Sequence, residues 1–158
     1  MTRVRRIVAA EEVAPNAGKI VESLRDFGYT LPTALADLID NSITAGAQSI
    51  RVEITGRDPS CASIVVIDDG HGMEVDTLVE AMRLGTTGPQ SQREGSDLGR
   101  FGLGLKTAAL SQGRCLTVVS KTAADKEPSV RRWDLDYIQR ENRWELVRTP
   151  TALAEKWH

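Results

Sequence analysis

IDDGHGM, residues 67–73, completes the apolar run Ile64, Val65, Val66, Ile67 and decides how the rest of the chain is read. Four consecutive β-branched aliphatics signal a buried strand, and this one delivers Asp68 to its end. Gly70 and Gly72 follow at a spacing that lets the backbone turn sharply and approach a ligand. Asp68 is expected to be partly buried there, and a buried carboxylate needs hydrogen-bond donors. An adenine amino group is one suitable donor; the backbone of the aspartate's own turn is another. His71 has no second histidine for metal binding and no evident nucleophile, and is read as incidental.

Upstream, Ser49 to Thr55 alternates Ile50, Val52 and Ile54 and predicts a partner strand, joined through a turn at Gly56, Asp58 and Pro59. Before it, Thr33 to Ala45 predicts a helix with Leu35, Leu38 and Ile39 on one face and Gly46 as its stop. Asp37 and Asn41, four residues apart, lie about 40° apart around that helix, on the opposite face, with Asp40 and Thr44 on its flank. A solvated helix face carries the same residue types, so this pattern alone does not define a site. Pro15 and Asn16 open a first helix carrying Ile20, Leu24 and Phe27 and ended by Gly28.

Downstream, Glu74 to Leu84 returns to helical spacing through Val75, Leu78, Val79 and Met82. Six of the 13 glycines then fall between Gly85 and Gly104, which predicts a mobile loop. It runs into a short helix, Leu105 to Ser111, then a strand at Cys115 to Ser120. Two further alternating strands are expected around Trp133, Leu135, Tyr137 and around Trp144, Leu146. The pattern predicts a two-layer α/β sandwich. Thr149 to His158 reads as the start of something it does not finish, so the chain is expected to be a fragment.

At 158 residues, 41% hydrophobic and 27% charged, the composition is that of one soluble globular domain, which excludes disorder and membrane spanning. Lys+Arg 20 against Asp+Glu 22 gives a net charge of -2, without the basic excess that electrostatic DNA binding requires. Arg3, Arg5, Arg6, Arg131 and Arg132 are accordingly read as solvated charges. Cys61 and Cys115 lack CxxC spacing and are read as small buried hydrophobes, which fits a reducing cytoplasm. The first 15 residues have no apolar core long enough for a signal peptide, and the protein is expected to be cytoplasmic.

GRFGLGLKT, residues 99–107, places glycines ahead of a helix and so gathers free backbone N–H groups at a helix N-terminus, a setting that suits phosphate. It is not a P-loop, because Leu105 separates Gly104 from Lys106 and no buried strand precedes it. A Rossmann fingerprint fails too, since no GxGxxG follows the strand at Ile64 to Ile67. Lys106 near a helix start opposes the macrodipole, which a bound phosphate would offset.

ALADLIDNS (34–42), IDDGHGM (67–73) and GRFGLGLKT (99–107), in this order, resemble the N box and two glycine boxes of the GHKL ATPases. That superfamily includes gyrase, the ninety-kilodalton heat-shock chaperones, histidine kinases and MutL. Within it, DLIDNS followed by AGA, the DDGxGM form and the GLGLKT ending look most like the MORC ATPases and their bacterial relatives, and less like MutL and gyrase. The resemblance covers about residues 17–120. It implies a GHKL (Bergerat) ATP-binding fold, a mixed and mostly antiparallel sheet with helices on one face. Residues 16–158 would form this domain behind an N-terminal arm at 1–15, lacking a last strand and a C-terminal transducer domain.

The resemblance also implies roles. Asn41 would hold a magnesium ion on the triphosphate, and Asp68 would accept the adenine amino group. Gly70 and Gly72, with Ala45 and Met73, would shape the nucleotide pocket. Gly85 to Gly104 would be the ATP lid, with Thr86 and Thr87 at its start. Gly99, Arg100, Phe101, Gly102, Leu103 and Gly104 would wrap the phosphates, with Lys106 and Thr107 beside them. Asp37 stands where the family usually has a glutamate that activates water. It is one methylene, about 1.5 Å, shorter, and misplacement of that order can cost on the order of a hundredfold in rate. Thr44 departs as well, where relatives often carry Asp.

The implied function is magnesium-dependent ATP binding with slow hydrolysis, driving lid closure and homodimerisation, with DNA or defence-system partners by family analogy alone. Two other readings stay open. A histidine-kinase phosphotransfer domain fits less well, because no histidine precedes His71. A module that senses ATP without turnover fits the short Asp37.

Overall fold

The computed structural model describes residue 11 and residues 13–26, 28–56, 62–85 and 104–149. The first helix, α1, spans Ala17–Ser23 and runs on into a 3-10 turn at Leu24–Asp26. Its buried side is Ala17, Gly18 and Val21, while Ile20 of the expected stripe is 39% exposed. The expected breaker Gly28 has φ +70, a conformation that suits glycine.

The second helix, α2, spans Leu31–Thr44, two residues longer at its start than the spacing predicts. Thr30 is the reason: its side-chain oxygen caps the Thr33 N–H, and Pro32 sits in the first turn where a missing N–H costs nothing. Two strands follow, β1 (Ile50–Thr55) and β2 (Ser63–Asp68), paired antiparallel with Ile50 opposite Asp68 and Ile54 opposite Ile64. The third helix, α3, is Val75–Met82 and the fourth, α4, is Gly104–Gln112. Strands β3 (Cys115–Ser120) and β4 (Ser129–Asp134) form a second antiparallel pair, with Leu116 opposite Trp133. This is the expected α/β class, with antiparallel pairing in both described sheets.

The largest departure lies after β4. Leu135 and Tyr137 do not continue a strand but open a helix, α5 (Leu135–Glu141), because Asp134 Oδ1 accepts the Tyr137 N–H and caps it. Leu135 and Ile138, three apart, are both fully buried on its inner face. Trp144 and Leu146 lie in an extended segment whose sheet contact is a single bridge between Arg132 and Val147. Cys115 corrects a second expectation: it is exposed, at the start of β3, while Cys61 lies outside the described residues.

The core joins α1, α3, α4, α5 and the β3–β4 pair through Val21, Leu78, Met82, Leu110, Leu116, Trp133, Leu135 and Ile138. Fully burying each such side chain contributes about 1.5–3 kcal/mol. Polar groups fasten the same layers. Trp133 Nε1 donates to the Met82 carbonyl at 2.7 Å, and Asn142 Oδ1 accepts the Ala17 N–H at 2.9 Å. Arg114 reaches Glu22 and Asp136, each at 2.8 Å, and holds the Glu22 carboxyl below its usual range. Among the described residues no helix is long and apolar enough to cross a membrane.

Candidate functional site

Helix α2 is the element along which the three sequence boxes meet. At its C-terminal end, Ser42 is buried and its hydroxyl donates to Asp68 Oδ2 at 3.0 Å. Asp68 Oδ1 accepts the Gly70 N–H, also at 3.0 Å. Both carboxylate oxygens are thereby fixed, and each keeps lone-pair capacity for a further donor. Contrary to expectation Asp68 is exposed, because β2 ends there and the turn leaves one side open.

The two glycines of IDDGHGM are required by close approaches. A Cβ on Gly70 would lie 2.8 Å from Ala45 Cβ and 3.0 Å from Asp68 Oδ1, so a side chain there would displace the carboxylate or α2. A Cβ on Gly72, at φ +70, would run into the Lys121 carbonyl at the end of β3. The turn is pinned on both sides: His71 N–H donates to the Ala45 carbonyl at 3.0 Å, and Met73 N–H to the buried Ser120 hydroxyl at 2.7 Å. The exposed His71 ring contacts its neighbour's carbonyl, Nδ1 to Gly72 O at 2.7 Å. Asp69 points the other way and caps the turn before β1, accepting the Ser49 and Gln48 N–H groups, which hold its carboxyl below the usual range.

One turn back along α2, Asn41 is exposed and donates Nδ2 to the Asp37 carbonyl at 2.8 Å, leaving its amide oxygen for another partner. Asp37 is half-buried and accepts the Tyr29 hydroxyl on Oδ2 at 2.9 Å. Gly104, the first residue of α4, faces this carboxylate, since a Cβ built there would lie 3.9 Å from Asp37 Oδ2. Thr107, one turn on, is buried with Oγ1 near the Gly104 carbonyl.

Lys106 is 2% exposed, and its ammonium donates to the Ala81 carbonyl in the last turn of α3 at 2.8 Å. The macrodipole opposition noted for a lysine at a helix start thus has an answer within the fold: the C-terminal end of α3 favours a cation. Burial holds this ammonium below the ordinary lysine value. The expected lid residues Thr86, Thr87, Gly99, Arg100, Phe101, Gly102 and Leu103 lie outside the described residues.

The structure therefore brings together Asp37, Asn41, Ala45, Asp68, Gly70 and Gly104 around one side of α2. No group of three or more His, Cys, Asp or Glu side chains that could cage a metal occurs among the described residues. This donor set fits a magnesium ion, which keeps waters and phosphate oxygens and needs only one or two protein oxygens. Sequence reasoning missed Ser42, Tyr29 and Ser120 as functional neighbours. Ser42 lay inside the DLIDNS run, where its hydroxyl at a buried position was the available signal; Tyr29 and Ser120 are paired only by the fold. An apolar cavity of about 650 Å³ between Ile20, Val79, Leu84, Trp133 and Trp144 shares no residue with this set.

Residues 29–158 match the family described as histidine kinase-, DNA gyrase B-, and HSP90-like ATPase. The chain belongs to this ATPase family. A DNA mismatch repair protein MutL of Methanocorpusculum labreanum is 29% identical over 119 residues, 75% of this chain and 18% of that protein. Protein MICRORCHIDIA 5 of Arabidopsis thaliana is 32% identical over 94 residues, 56% of this chain and 13% of the relative. Protein MICRORCHIDIA 3 of the same plant is 33% identical over 92 residues, 54% and 15%. The chain thus spans less than a fifth of each of these relatives. The expected likeness to the GHKL ATPases and to MORC proteins among them holds, and a MutL protein stands beside them as a relative of similar identity.

Proposed function

We propose that this GHKL domain binds ATP as its magnesium complex and hydrolyses it slowly. The observation that carries the reading is the Asp68 carboxylate, held by Ser42 and the Gly70 N–H beside a turn that tolerates no side chain at Gly70. A fixed carboxylate with free lone pairs recognises a flat ring bearing an exocyclic amino group, and adenine is such a ring. Asn41 would supply an oxygen to magnesium, whose chemistry when bound is to neutralise charge on the triphosphate. The α4 N-terminus at Gly104 faces Asp37 and favours negative charge near the same place.

In this reading Asp37 is the general base. Its carboxylate would take a proton from water as the water oxygen bonds to the terminal phosphorus and the bond from that phosphorus to the bridging oxygen breaks, so that ADP leaves with those electrons and the proton passes on to the released phosphate or solvent. The match to an ATPase family and the half-buried position of Asp37 support that role. Closure of the expected lid, Gly85 to Gly104, over the nucleotide, pairing of two chains and a cytoplasmic setting belong to the same proposal. A part in DNA handling is suggested by the mismatch-repair name of one relative. Phosphate release by Asp37→Asn tests the central step: a fall of about a hundredfold or more is expected, with ATP affinity retained. Release at the wild-type rate would remove Asp37 from the chemistry and leave an ATP-sensing module.

A further inference from the structure

Tyr29 stands in the short segment between the 3-10 turn and α2, half-buried, with its hydroxyl on Asp37 Oδ2 at 2.9 Å. Helix α4 fastens its backbone: Gln112 Nε2 donates to the Tyr29 carbonyl at 2.9 Å. The contact to the Asp37 carboxylate, and burial, raise the phenol above its usual titration range, as expected of a donor to an anion. The same oxygen, Asp37 Oδ2, is the atom nearest Gly104, whose missing side chain leaves room there.

We infer that Tyr29 is a positioning residue for Asp37: its hydroxyl holds one carboxylate oxygen while α4 holds Tyr29, so the other oxygen is presented in a fixed direction. The inference rests on the reading of Asp37 as general base. An aspartate set back by a methylene has less reach than a glutamate, so its rate depends more steeply on orientation. A charge-assisted O–H···O⁻ bond supplies that orientation. Gln112, which holds the Tyr29 backbone, is the last residue of the helix whose first residue, Gly104, faces Asp37, so one helix both borders the base and anchors the residue that holds it.

The test compares Tyr29→Phe, Asp37→Asn and the double variant by single-turnover phosphate release, by ATP affinity, and by ¹⁹F spectra of chains labelled with 3-fluorotyrosine. The chain has two tyrosines, so two lines are expected, assigned by the one that Tyr29→Phe removes. Tyr29→Phe is expected to lower kcat by roughly 10- to 100-fold, to change the ATP Kd by less than about twofold, and to add nothing to the loss in Asp37→Asn. Asp37→Asn should shift the Tyr29 line and leave that of Tyr137 in place.

A Tyr29 line that Asp37→Asn does not move overturns the contact, even where turnover is too slow to read. Wild-type kcat in Tyr29→Phe beside an inactive Asp37→Asn overturns the positioning role while the base reading stands. Losses that multiply in the double variant, or an affinity loss matching the rate loss in Tyr29→Phe, overturn it as well. Wild-type turnover in Asp37→Asn instead defeats the base reading, and a Tyr29 line that still shifts there tells that failure apart.

Discussion

Gly72 and Gly46 share a left-handed backbone, φ +70 and +74, yet differ in what surrounds them. Gly46 has nothing within 4 Å of an added Cβ, whereas Gly72 has the Lys121 carbonyl in the way. Gly46→Ala should therefore cost only the conformational strain, about 1 kcal/mol, and Gly72→Ala upward of about 2 kcal/mol, read by urea unfolding. Equal losses would mean that the turn is not pinned against β3. Asp68→Asn keeps the shape of the side chain but replaces one acceptor with a donor pair that faces Ser42 or the ligand. ATP affinity should fall by about 10- to 100-fold, and Ser42→Ala should cost a few-fold, both by calorimetry. An unaffected Asp68→Asn would take adenine away from this carboxylate. Asp68 itself was legible in the sequence, as the polar residue ending an apolar run; its exposure was not, because no local pattern reports where a neighbouring layer stops.

Elements marked by strong local punctuation are legible in the sequence. Helix α2, with Thr30, Pro32 and Gly46 around it, and β3 between Cys115 and Ser120 came out close to their observed bounds. Helix α5 did not, because Trp133, Leu135 and Tyr137 satisfy a period of two, while the decisive signals, the Asp134 cap and the Leu135–Ile138 pair, satisfy a helix just as well. Helix α4 was legible in extent but not in the direction of its lysine. Burial lowers the value at which Lys106 loses its proton, so the folded chain releases it at lower pH than the unfolded chain, whose ordinary value is 10.5. Stability then rises with pH between the folded value and 10.5, and is flat in this contribution below it. Relative to Lys106→Met, the wild-type chain should gain melting temperature as pH climbs from neutral towards about 10. A difference that stays constant with pH would contradict a buried, carbonyl-bonded ammonium.

Across the molecule, residues far apart in sequence are gathered on one helix: Asp68 through Ser42, Gly70 through Ala45 and Gly104 through Asp37. The order of the three boxes pointed to that convergence, and Ser42 and Ala45 lie within or beside the first box, whereas Tyr29 and Ser120 are paired only by the fold and carried no sequence signal. The net charge of -2 leaves no general attraction for a polyanion, so the proposed nucleotide binding would rest on these local donors and acceptors. ATP that binds only the folded state should stabilise the chain by about 2.7 kcal/mol at a hundred times its Kd. The most direct measurement is calorimetry of ATP binding to the wild-type chain and to Asn41→Ala, each with and without magnesium. The account predicts saturable one-to-one binding to the wild-type chain, tightened by magnesium about tenfold, or about 1.4 kcal/mol, with that tightening lost in Asn41→Ala. A folded wild-type chain that takes up no ATP, with or without magnesium, would contradict it.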